Sequence, residues 1–237
     1  MSTRPLHCVV PVFASRRQRP GAVAARAALL VGAIGLALAS QASTVDFPLL
    51  PALKSELAIE SLLLDITRNG DRLLVVGEQG NILHSDDNGQ SWTQADVPVS
   101  LAITTVTFAG EGSAWATAHD GYLLHSSDSG ATWVVKLSGS DIARLSVGAL
   151  EAQIEVLRAA VENATSEGQE DAEWALDDGL FALEEARAAI DEGMTTPMLD
   201  VWFANDNIGY ALGAYGVFLS TDDGGETWTA RSNQLDN

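Results

Sequence analysis

The sequence predicts a mainly β protein: a partial propeller of four-stranded antiparallel blades, about three of them present, with an inserted α-helical hairpin. Three observations predict it. First, the strings SDDNGQSW (85–92), SSDSGATW (126–133) and TDDGGETW (221–228) share Ser/Thr-x-Asp-x-Gly-x-Ser/Thr-Trp. Second, the match runs upstream without a gap, with Gly80, Gly121 and Gly216 five residues before each string and Leu83, Leu124 and Leu219 two before it. Third, Trp92 and Trp133 are 41 residues apart, the length of one four-stranded blade. Trp133 and Trp228 are 95 apart, one blade plus 54 extra residues of different character.

Within the second copy, residues 101–108, 113–118, 122–126 and 132–137 read as four strands separated by Gly-containing turns. The shared string is then the hairpin between the third and fourth strands. Asp87, Asp128 and Asp223 can accept backbone N–H bonds across a tight turn. Gly89, Gly130 and Gly225 can supply its positive φ. Ser85, Ser126 and Thr221 open the string, and Trp92, Trp133 and Trp228 pack over the hairpin. Recurrence in every copy makes these twelve residues structural and excludes the aspartates as catalysts.

The extra residues, about 140–193, are rich in Ala, Leu and Glu. Ile142, Leu145, Leu150, Ile154, Leu157 and Val161 fall at helical spacing, followed by Trp174, Leu180, Leu183, Ala186 and Ile190. Gly168 separates the two runs, and Gly193 and Pro197 end the second. Fourteen acids against Arg144, Arg158 and Arg187 give the hairpin an acidic, solvated face. The domain reading is residues 1–42 as a leader, 43–137 as blades 1 and 2, 138–196 as the helical insertion and 197–237 as blade 3.

The leader is predicted from a basic stretch containing Arg16, Arg17, Arg19 and Arg26, followed by the apolar run AALLVGAIGLALAS (27–40). Cleavage is expected after Ala42, with an uncleaved anchor as the alternative, so the chain is expected to be exported to the periplasm or beyond. The lone cysteine, Cys8, lies in this leader, which excludes disulfides and cysteine zinc sites from the remainder. The formal charge is −19, and loss of the five leader arginines takes it near −24. Such a surface repels nucleic acid and anionic lipid and favours a neutral or basic protein partner, including one within a membrane complex.

The remaining candidates are turn residues. Glu78 and Gln79, His119 and Asp120, and Tyr215 occupy one turn that varies from copy to copy while the frame repeats, and are the expected ligand contacts. His84 and His125 share a repeat position, but no carboxylate pattern joins them into a metal site. No phosphate-cradling loop or nucleophile elbow occurs, the SDDNGQSW string lacks the later Glu of a calcium loop, and no cofactor is expected.

The strings with their upstream spacing resemble the BNR/Asp-box repeat. The longer pattern, as in GYALGAYGVFLSTDDGGETW, is similar to the photosystem II stability and assembly factor family and its relatives in non-photosynthetic bacteria. The resemblance covers about residues 61–231, interrupted by the insertion. It implies an exported, non-enzymatic propeller that binds other proteins during assembly. Ending at Asn237 soon after its third box, the chain is expected to be a C-terminally shortened member. Asp boxes also occur in sialidases, so a glycan-binding or glycosidase module is the alternative. A sialidase needs clustered arginines, whereas only Arg68, Arg72, Arg144, Arg158, Arg187 and Arg231 follow the leader.

Overall fold

A computed structural model describes residues 50–231, so the leader and Cys8 lie outside the described residues. Twelve strands form three sheets. Blade 1 contains β1 (Leu63–Asn69), β2 (Arg72–Gly77), β3 (Ile82–Ser85) and β4 (Thr93–Gln94). Blade 2 contains β5 (Ile103–Phe108), β6 (Ala114–Ala118), β7 (Tyr122–Ser126) and β8 (Val134–Leu137). Blade 3 contains β9 (Met198–Phe203), β10 (Gly209–Gly213), β11 (Phe218–Thr221) and β12 (Thr229–Ala230). Each sheet is an antiparallel meander in chain order, because short turns between successive strands permit nothing else. The registers superpose: Asp65, Thr105 and Asp200 pair with Val76, Thr117 and Leu212, each just past an irregularity in its inner strand.

Alternation along the strands sends side chains to both faces of each blade, so two cores form between blades. The first joins Leu74, Val76 and Ile82 of blade 1 to Val106, Ala116, Leu124 and Trp133 of blade 2. The second joins Trp115 and Leu123 of blade 2 to Met198, Val201, Phe203, Leu219 and Trp228 of blade 3. Polar clamps tie the inner strands together. Asp65 Oδ2 accepts from Thr105 Oγ1 at 2.6 Å and from the Val106 N–H at 2.9 Å. Thr104 Oγ1 donates to the Met198 carbonyl at 2.9 Å.

The insertion is two antiparallel helices, α1 (Gly139–Asn163) and α2 (Gln169–Asp191). Ser138 caps α1 in a reciprocal box with Asp141, satisfying N–H groups that the first turn leaves free. Ile142 roots α1 in the second core. Ile154 and Leu183 are buried along the hairpin, and an added Cβ on Gly179 would come 3.1 Å from Leu157. One residue departs from the helical stripe read in the sequence. Trp174 is largely exposed, because nine residues at about 100° each turn it to the opposite side of α2 from Leu183. Among the described residues no helix is long and apolar enough to cross a membrane.

Candidate functional site

The three Asp boxes form one structure repeated. In blade 2, Ser126 Oγ donates to Asp128 Oδ1 at 2.7 Å and accepts from the Gly130 N–H at 2.8 Å. The carboxylate then receives the Thr132 N–H at 2.9 Å and the Thr132 hydroxyl at 2.7 Å. Asp87 with Ser85 and Ser91, and Asp223 with Thr221 and Thr227, repeat this pattern. Asn88–Gly89 and Ser129–Gly130 are successive positive-φ pairs, as a type I′ turn requires. Trp92 Nε1 and Trp133 Nε1 donate to the carbonyls of Gly89 and Gly130 at 3.1 and 3.0 Å. Trp228 differs. Its Nε1 has no acceptor, and its ring stands edge-on to Trp115 and Phe203, with centroids 5.6 and 6.0 Å away.

These bonds hold the charged form of each aspartate. The Ser91 hydroxyl, the Ser91 N–H and the Ser85 hydroxyl lower Asp87 from 3.8 to about 2. At Asp128 burial pushes upward, but the Thr132 N–H and hydroxyl and the Ser126 hydroxyl outweigh it and bring the carboxyl to about 2. Asp223, bonded by the hydroxyl and N–H of Thr227 and by Thr221, also falls to about 2. With folded values below the unfolded one, the stabilisation is complete above pH 4 and is lost as pH falls towards 2. The stability gap between wild type and Asp128→Asn, measured by urea unfolding, is therefore expected to be widest above pH 4 and to close towards pH 2. A gap that stays constant with pH would refute this.

The sequence-predicted contact residues sit on the turns joining the second and third strands. Gln79, Asp120 and Tyr215 all adopt left-handed backbone, with φ of 58°, 59° and 55°, each followed by a positive-φ glycine. A non-glycine residue there is strained by about 1–2 kcal/mol. The three turns share a geometry but not their surroundings. Glu78 Oε1 accepts from the Leu62 N–H at 3.1 Å, a tie within its own blade. Gln79 lines a cleft of about 540 Å³ with Leu53, Leu57 and Asn81. His119 and Asp120 lie at the foot of the insertion, where Thr195 Oγ1 donates to Asp120 Oδ1 at 3.4 Å. Tyr215 projects almost wholly into solvent beside a groove of about 900 Å³.

That groove runs between the helical hairpin and the outer strands of blade 3. Ile142, Leu150 and Ala186 line one wall and Val217, Phe218 and Ala230 the other. Glu185, Glu192 and Arg231 bring charge to the lining. Sequence reasoning found Tyr215 but missed the wall facing it, since nothing local says that α1 and α2 fold back over β11 and β12. His84 and His125 titrate low, chiefly because both are partly buried, with Arg72 and Lys136 adding to the effect. Among the described residues no cluster of three metal-ligating side chains occurs.

Comparison with known families gives a match over residues 50–173 to a model described as photosynthesis system II assembly factor YCF48. The chain belongs to that family. The matched span takes in blades 1 and 2 and runs into α2, while blade 3 joins by its repeated register and box. Among solved structures, YCF48 from Cyanidioschyzon merolae is 18% identical, with a TM-score of 0.43 over 72% of this chain and 40% of that one. A structure titled YCF48 bound to D1 peptide is 15% identical, with a TM-score of 0.29 over 71% and 66% of the two chains. An ancestral GH74 enzyme is 11% identical, with a TM-score of 0.40 over 74% and 21%. The chain thus spans less than two thirds of each of these structures. No curated protein matches it in sequence.

Proposed function

We propose that this chain is an exported, non-enzymatic scaffold of the assembly-factor kind, which holds an apolar segment of a partner protein in the groove between its helical hairpin and blade 3. The observation that carries the reading is the groove itself. It is mainly apolar, of a size that encloses several side chains, and walled on one side by an insertion that the blades do not need in order to pack. Tyr215 at its rim is the kind of exposed aromatic anchor on which binding energy concentrates. A non-enzymatic role is supported by the box carboxylates, which are committed to their own turns. Export is supported by the basic-then-apolar order of the first 42 residues. The family description and the neighbour titled with a D1 peptide agree with a protein ligand.

The test is fluorescence anisotropy against a panel of apolar peptides drawn from membrane-protein loops and termini, with a glycan array alongside. Tyr215→Ala is expected to weaken a bound peptide about 5- to 30-fold, the loss of a 1–2 kcal/mol anchor. Ala186→Glu, which sets a charge in the apolar wall, is expected to weaken it further. Binding of glycans with no peptide bound would overturn the reading.

A further inference from the structure

The repeat fixes which side chains lie on each face of a blade. On the face towards the following blade, Leu74, Val76 and Ile82 of blade 1 and Trp115, Thr117 and Leu123 of blade 2 occupy equivalent positions, and none is more than 1% exposed. Blade 3 places Tyr210, Leu212 and Phe218 there. Tyr210 is 37% exposed and Leu212 45%, with Trp202 beside them on β9 at 56%. The rings of Trp202 and Tyr210 lie 6.2 Å apart and those of Tyr210 and Phe218 5.8 Å apart, an aromatic ladder across β9, β10 and β11. The chemistry is that of a buried blade interface, but nothing lies on it.

The same chain carries the complementary half. Blades 2 and 3 meet the preceding blade with Val106 and Val201, which are 3% and 2% exposed, whereas Ile66 at that position on β1 is 60% exposed. Two residues further on, Phe108 and Phe203 correspond to Arg68. Phe203 stacks on Trp115 at 5.4 Å, and Trp115 is the counterpart of Tyr210. A blade 1 set on blade 3 by the same rule therefore brings Ile66 against the ladder and the Arg68 guanidinium over the Tyr210 ring, a cation–π contact. Val75 and Leu83 are already buried within the chain, so the seat on this side is the inner strand.

We propose that a second copy of this chain docks its blade 1 on the open face of blade 3, continuing the blade series from one chain into the next. The contact is head-to-tail, and two copies engaging reciprocally give six blades, within the range that closes a ring. A second copy is the occupant because both halves of a repeated interface, one aromatic and one aliphatic with a cation, are present and open on a single chain. The surface is not the groove, although the two adjoin at Phe218.

Sedimentation equilibrium of the purified chain tests this. The expected mass is twice the 25.0 kDa of one chain. Tyr210→Lys and Arg68→Glu should each weaken association at least tenfold while circular dichroism and melting remain those of a folded protein. Trp174→Lys, on the exposed side of α2, should leave association unchanged. A larger series dissolved by both substitutions also upholds the docking. A wild-type chain that stays monomeric at every concentration overturns the proposal. So does a dimer lost with Tyr210→Lys but indifferent to Arg68→Glu, which would mean that two ladders face each other.

Discussion

Replacing Trp115 by alanine is expected to destabilise the protein by about 3–5 kcal/mol, the usual cost of deleting a buried aromatic from a core that cannot collapse around the void. Trp115 lies on β6 at the centre of the second core, with His125, Phe203 and Trp228 centroids 4.5, 5.4 and 5.6 Å from its own. The ring is the common wall of blades 2 and 3, so its loss loosens both. Its Nε1 is buried without an acceptor, which makes the indole costly to hold. Trp115→Phe, which removes that N–H and keeps most of the ring, should therefore cost under about 1.5 kcal/mol. Urea unfolding of the two variants checks the pair. Equal losses would show that the volume of the ring does not govern this core.

Gly225→Ala is expected to cost about 2–5 kcal/mol, combining left-handed backbone strain of about 1–2 with overpacking of about 1–3. Gly225 has φ of +85°, and a Cβ built on it collides with the ring edge of Trp115. Gly130, at φ +86°, would drive the same atom into the side chain of Leu74 on the preceding blade. Gly89 is the internal control. Its φ of +82° is equivalent, yet the nearest atom to an added Cβ is Trp92 Cζ2 of its own box, at 3.3 Å. Gly89→Ala should thus cost only the conformational part, about 1–2 kcal/mol. Thermal melts of the three variants should rank Gly89→Ala mildest, and an equal ranking would rule out the interblade contact.

The contrast among these glycines also shows how far the sequence could be read. The turn function of the box was legible, because Ser/Thr-x-Asp-x-Gly encodes its bonds within eight residues, and Asp128 takes the N–H and hydroxyl of Thr132 as that spacing requires. The blade-to-blade role of Gly130 and Gly225 was not legible, since their neighbours Leu74 and Trp115 lie far away in sequence and come close only when the blades stack. The helical hairpin was likewise legible from the spacing of Ile142, Ile154 and Leu183, whereas the side on which Trp174 falls needed the actual packing of α1 on α2. At the candidate site, Tyr215 stood out as a variable turn residue. Its partners across the groove, Ile142 and Ala186, read only as core positions of a helix pair. The aromatic ladder was present in the alignment of Tyr210 with Trp115, but exposure is a property of what fails to cover a face, and no local pattern encodes it.

The insertion leaves and re-enters the blades at nearly one point. A Cβ on Gly121 would touch both the Gly139 backbone, where α1 begins, and the Thr196 carbonyl, just before β9. Two stems that close can be spliced by a short linker at little entropic cost, so the position behaves as a socket. For protein engineering this means that the hairpin can be unplugged and a reporter domain with neighbouring termini plugged in, leaving the flanking sheets in register.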